Sequence, residues 1–169
     1  MRLIIGVFFI GLFLVGCNSF PEKLESAGKV ELLPFDEVGD MDLEPTNHQA
    51  LWGGVIAKTV NFTDRTQIEI IYFPLNSRGE PQTNKESLGR FRAYVGDFID
   101  PFVYRPGRSV TILGTLGVRE KGYVGHYSYD YTVLHSIELH LWANQKQIPL
   151  PDVIEQQLEL DSPRIFSYQ

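Results

Sequence analysis

One thiol, four imidazoles and two dense clusters of aromatic and charged side chains are the groups in this 169-residue chain whose types and spacing could do chemistry. Cys17 stands alone, so it has no partner for a disulfide within the chain and cannot furnish a thiolate set for zinc. His48, His126, His135 and His140 could bind a metal only if two of them shared a strand face. His135 has the parity of Ile137 and Leu139, which predicts that it points inward, whereas His140 shares the opposite face with Ser136 and Glu138. No HExxH or Cys/His cluster is present, and the expectation is no metal site. Nor is there a GxSxG elbow or a serine in a triad context, so no catalytic residue is expected. A glycosidase needs two carboxylates at a set separation in space, which a linear pattern does not reveal.

The first cluster is Asp100-Pro101-Phe102-Val103-Tyr104-Arg105-Pro106-Gly107-Arg108. Asp100 with Arg105 or Arg108, beside the faces of Phe102 and Tyr104, could form a recognition edge for a peptide or glycan, since arginine and aromatics dominate binding hot spots. The competing reading, favoured by composition, is a stiffened connection between strands: Asp100 caps it, an arginine pairs with Asp100, and the prolines and glycine turn it. The second cluster runs from Gly122 to Tyr131 and places Tyr123, Tyr127, Tyr129 and Tyr131 on one side if it is a single regular strand. Such a ladder could stack sugars or bases, but cross-strand tyrosine packing is the commoner use.

The elements that must position these groups follow from the hydrophobic pattern. Arg2 precedes an apolar run from Leu3 to Val15, too short for the roughly 20 residues of a membrane span, and small residues lead up to Cys17, the layout of an export signal. Residues 17–49 are polar, acidic and punctuated by Pro21, Pro34 and Pro45, and they read as a tether with a short strand docking near Val30–Phe35. From 50 to 146 the period is two. Ile68, Ile70 and Tyr72 form one stripe, Phe91, Ala93 and Val95 another, Val110, Ile112, Gly114, Leu116 and Val118 a third, and Ile137, Leu139 and Leu141 a fourth. Turns fall at Thr63-Asp64, Asn76–Pro81, Arg105-Pro106-Gly107 and Lys121-Gly122. Gly53-Gly54 and Gly114 inside strand patterns mark bulges or sharp coiling. The expected fold is all-β, a small OB-like antiparallel barrel of five or six strands, with the 100–108 region in the slot where such barrels often carry a helix. In the C-terminal segment, 147–169, Asp152-Val153-Ile154-Glu155 predicts an N-cap opening a short helix over 153–160.

The chain carries a formal charge of −6, which becomes −7 if residues 1–16 and their Arg2 are removed. An acidic domain repels phosphate backbones, and no nucleic-acid partner is expected.

Leu14-Val15-Gly16-Cys17 resembles the lipobox of bacterial lipoproteins. That resemblance implies cleavage before Cys17, an N-acyl and diacylglycerol lipid on Cys17 as the only attached group, and, with Asn18 rather than Asp following, sorting to the outer membrane on its periplasmic side. WGGVI (52–56), TDRTQIEIIYFPLNSRGEP (63–81), SLGRF (87–91), GDFIDPFVYRPGRSVTILGTLG (96–117) and HLW (140–142) together resemble the Slp family of starvation-inducible outer-membrane lipoproteins of Gram-negative bacteria. The family brings no catalytic residues to carry over. Some members extend into a long aromatic, glycine-rich tail, where this chain ends in a short acidic segment.

The expectation is therefore a lipid-anchored envelope protein without catalysis, linked to starvation or stationary-phase stress, that acts structurally or by binding an envelope protein or glycan. Its candidate contact residues are Trp52, Asp100, Phe102, Tyr104, Arg105, Arg108, Tyr127 and Tyr129. One competing reading is a module for a small hydrophobic or glycan ligand at an open barrel end around Trp52, Tyr72 and the tyrosines. The other is an envelope hydrolase, which requires a clustered acid pair or His–acid pair in a cleft. Mass spectrometry of the matured protein is expected to find a chain lacking residues 1–16 with lipid on Cys17; an unmodified residue 17 would remove the anchor.

Overall fold

The computed structural model describes residues 20–29, 31–38 and 48–143. Cys17, the acidic stretch 39–47 and the expected helix over 153–160 lie outside the described residues. Five strands, β1 (Gln49–Asn61), β2 (Thr66–Tyr72), β3 (Arg90–Val95), β4 (Ser109–Val124) and β5 (Tyr127–Leu141), close into a barrel in the order β1-β2-β3-β5-β4. Every pairing is antiparallel except β3 with β5, which is parallel. This five-stranded order is that of the OB fold. The connection between β3 and β4 makes turns but no helix.

β1 is the strand that lets the sheet close. Its first half pairs with β4 and its second half with β2, the exchange falling at Gly54 and Val55. A Cβ at Gly54 would collide with the carbonyl of Ile71, so only glycine admits that approach. The β4–β5 hairpin turns at Gly125-His126, not at Lys121-Gly122 as the sequence suggested; Lys121 and Gly122 pair with Asp130 and Tyr129 inside the ladder. Gly125, at φ 60° in the first central position, supplies the positive φ of a type II′ turn.

Three stripes face the interior as expected, with Ile68, Ile70, Phe91, Ala93, Val110, Ile112 and Leu116 at most 3% exposed. The exceptions share a cause, an extra residue in one strand. Between Gly117 and Glu120 the β4 ladder slips, and Val118 emerges 57% exposed. In β5 Leu113 pairs with Glu138 but Gly114 with Ser136, leaving Ile137 as the bulged residue, 51% exposed. The same bulge reverses parity, so His135 is exposed on the outer face rather than inward, while Leu139 and Leu141 still pack on the core.

Both mouths of the barrel are stopped by the chain itself. At one, Leu33, Phe35 and Val38 of the N-terminal segment join the core cluster. Phe35 stacks on Tyr72 at 4.1 Å and meets the Trp52 ring edge-on at 5.1 Å, and the Leu33 carbonyl accepts from Trp52 Nε1 at 3.0 Å. Leu32 bridges in parallel to Gln49, which places the expected docking strand. Packing of Phe35 over the mouth removes a large aromatic surface from water. At the other mouth Ile99 and Tyr104 of the β3–β4 connection pack on the same core. Upstream, a 3₁₀ helix, Glu22–Lys29, lies against the barrel wall with Leu24 and Ala27 buried on Leu113. Much of the expected tether is therefore docked, since 20–38 lines the barrel wherever it is described.

Phe35→Ala is expected to lower unfolding free energy by about 2–3 kcal/mol in urea titration, the range for deleting a largely buried aromatic; an unchanged midpoint would mean that Phe35 does not seal this mouth.

Candidate functional site

In OB barrels the outer face of β2 and β3, flanked by the β1–β2 and β4–β5 loops, is where ligands bind. Here strand alternation places Gln67 and Glu69 of β2 and Arg90, Arg92 and Tyr94 of β3 on that face, because Ile68, Ile70, Phe91 and Ala93 take the inner one. The face is occupied by its own partners. Arg90 Nη1 bonds Glu69 Oε1 at 2.8 Å, and Arg92 Nη1 reaches Glu120 Oε2 at 3.4 Å. The Tyr94 hydroxyl donates to Glu120 at 2.7 Å and accepts from Gln67 Nε2 at 2.7 Å. Arg92 lies 4.0 Å over the ring of Tyr131, Arg65 lies 4.7 Å over Tyr94, and His135 stacks on Tyr94 at 6.0 Å. A Cβ at Gly122 would strike the Arg92 guanidinium, so this network needs the bare backbone there. The sequence reading missed this stripe, although the alternation of RFRAYV carries its signal.

Burial and the neighbouring Glu69 carboxylate push the Tyr131 phenol well above its ordinary pKa, and burial followed by the Glu120 hydrogen bond raises Tyr94. Burial and then the charge of Lys23 lower His140, whose ring meets Trp142 edge-on at 4.5 Å.

The tyrosine stretch is a hairpin and not one strand, which scatters the expected ladder. Tyr127, Tyr129 and Tyr131 share a face, while Tyr123 pairs with Ser128 on the opposite one. Tyr131 is fully buried, the Tyr129 hydroxyl accepts the Arg90 backbone N–H at 2.9 Å, and Tyr127 at the tip is 83% exposed. No continuous stacking platform results. Trp52, a candidate contact residue from sequence, is 1% exposed and belongs to the core, because Phe35 covers the mouth around it and Tyr72.

The β3–β4 connection is held at many points. The Asp100 carboxylate accepts the Phe102 N–H at 2.8 Å, and its carbonyl accepts from Val103 and Tyr104 N–H groups. The Thr59 hydroxyl donates to the Tyr104 carbonyl at 2.7 Å, and Asn61 Nδ2 to the Ile99 carbonyl at 3.3 Å. Ile56 exchanges backbone bonds with Gly107 and Arg108. The capping role of Asp100 is as expected, but the arginine pair is not formed. Arg108 instead donates to the carbonyls of Val103 and Trp142, at 3.2 and 2.7 Å, and Arg105 is half-buried with Nε unpartnered. Tyr104 faces the core, whereas Phe98 and Phe102 stand 74% and 78% exposed on this fixed backbone.

Among the described residues no group of three or more His, Cys, Asp and Glu side chains converges on a metal position. The acids Glu69, Glu80 and Glu120 each face an arginine.

Strand order and closure define an OB-type barrel whose usual ligand face is filled by its own ion pairs and rings. The chain belongs to the outer membrane lipoprotein Slp family, whose family model matches residues 14–166, and it is a lipid-anchored protein of the outer membrane. It is similar to the outer membrane protein Slp of Escherichia coli K12, 27% identical over 79% of this chain and 71% of that one. The lipoprotein YeaY of the same strain is 26% identical over 83% and 72%. Among solved structures, a mitochondrial single-stranded DNA binding protein from S. cerevisiae superposes over 58% of this chain and 97% of its own, at 14% identity and a TM-score of 0.37.

A phenol whose folded pKa exceeds the unfolded value near 10 keeps its proton after the unfolded chain has lost it. Its stabilising contribution is complete below about pH 10 and declines as pH rises further. Denaturation midpoints between about pH 9 and 11 are expected to fall for the native chain and to fall less for Tyr131→Phe.

Proposed function

We propose that this protein is a periplasm-facing adaptor, held to the outer membrane by lipid on Cys17, which engages an envelope protein through the β3–β4 connection and performs no catalysis. The observation that carries this reading is the contrast within 98–108: two phenylalanines are presented to solvent by a backbone fixed through Asp100, Thr59, Asn61 and Arg108. Exposed aromatics on an ordered loop lose little conformational freedom on binding, the property that makes such residues anchors. The barrel interior is filled, which speaks against a small ligand held within it. Pairing of Glu69, Glu80 and Glu120 with arginines speaks against a hydrolytic acid pair, because a neighbouring cation favours the ionised carboxylate over a proton donor. Service during starvation or stationary phase is the part of this reading that rests on the family resemblance.

A photoreactive residue in place of Phe102, in the full-length chain in cells, is expected to capture one dominant protein, with yield falling several-fold when Phe98→Ala is added. Because both side chains are exposed, Phe98→Ala should move the unfolding free energy by no more than about 0.5 kcal/mol. Capture no greater than from the exposed Lys85 position, or capture indifferent to Phe98, would defeat the proposal; recovery of peptidoglycan fragments instead would replace the protein partner with a glycan.

A further inference from the structure

Beside the 3₁₀ helix Glu22–Lys29 a groove of about 500 Å³ opens between the helix and the barrel wall. Phe20, Ala27, Leu32 and Leu51 give it an apolar lining, and Glu25 is its one charged wall residue among those described. Its size lies within the roughly 300–1,000 Å³ of ligand pockets. Nothing in the filled interior or the ion-paired β2–β3 face resembles it: this is apolar surface left open on the outside of the barrel. Its wall begins at Phe20, three residues after Cys17. Three residues span at most about 11 Å, so any lipid on Cys17 starts within that distance of Phe20.

We propose that this groove receives one of the acyl chains carried by Cys17, so that the anchor folds back along Phe20, Ala27, Leu32 and Leu51 and fixes the barrel flush against the membrane. The inference rests on acylation of Cys17 and goes beyond it by assigning a protein surface to the lipid. Three considerations favour this occupant. A short link holds the chain at high effective concentration near the groove. An alkyl chain has no polar group to leave unpaired against an apolar wall. The other segment of the chain that could cover the groove, 144–169, carries Asp152, Glu155, Glu159 and Asp161, which would bring like charge beside Glu25.

The test is metabolic labelling of cells making the full-length protein with a diazirine fatty acid, followed by irradiation of membranes and peptide mass spectrometry. The expected adducts join the Cys17 lipid to peptides containing Phe20, Ala27, Leu32 or Leu51. A Cβ at Gly28 meets nothing within 4 Å, so Gly28→Trp can be accommodated and should narrow the groove, reducing these adducts several-fold while Cys17 labelling persists. Adducts to phospholipid or to residues 144–169 with none in the groove, or a yield indifferent to Gly28→Trp, would overturn the inference. Lack of label on Cys17 before irradiation would instead overturn the anchor itself, and the groove assignment with it.

Discussion

Closing a five-stranded sheet on itself leaves a narrow interior and two mouths, and every other feature of this protein follows from how those mouths are stopped. Small barrels are filled by their own side chains, and here the filling extends to the ends. Phe35, brought back by the N-terminal segment, covers Trp52 and Tyr72; Ile99 and Tyr104 cover the far end. Both stoppers are contributed by connections, which ties the conformations of 31–38 and 96–108 to the integrity of the core. Function is thereby displaced to the outside of the barrel.

That outside is uneven in a way the ion pairs explain. On β2 and β3 the arginines and glutamates compensate one another and lie over tyrosine rings, an arrangement that stiffens the sheet while offering little unpaired charge. Surface pairs of this kind contribute little individually, and burying the Tyr131 ring beneath Arg92 stabilises the sheet more than they do. By contrast, the β3–β4 connection and the groove beside the 3₁₀ helix leave apolar side chains in contact with water. In a chain delivered to a membrane surface, those two places are where protein and lipid have something to gain from contact.

Departures from the sequence pattern cluster where strands gain a residue. The stripes of β2 and β3 were legible because these strands are short and unbulged, and period two survives from end to end. β4 and β5 are long and strongly coiled; the slip after Gly117 and the bulge at Ile137 reverse inside and outside, which is why Val118, Ile137 and His135 departed from their expected faces. The Gly122–Tyr131 stretch misled for a related reason, since two nearby glycines each offered a turn and only cross-strand pairing chose Gly125. Trp52 fell in a strand pattern that is inward by parity, but its covering ring is 17 positions away in the segment that composition marked as a tether.

The sequence by itself determined the export signal, the all-β class, the inward stripes of the short strands and the family, because each rests on local composition, short-range alternation or ordered motifs. Tertiary structure alone decided that β3 meets β5 in parallel, that Arg92 covers Tyr131, that Asp100 caps its own loop without an arginine, and that residues 31–38 stop a barrel mouth. These depend on which distant segments share the same small volume. Period-two alternation assigns each strand a face but carries no information about its neighbour or about what closes over its end.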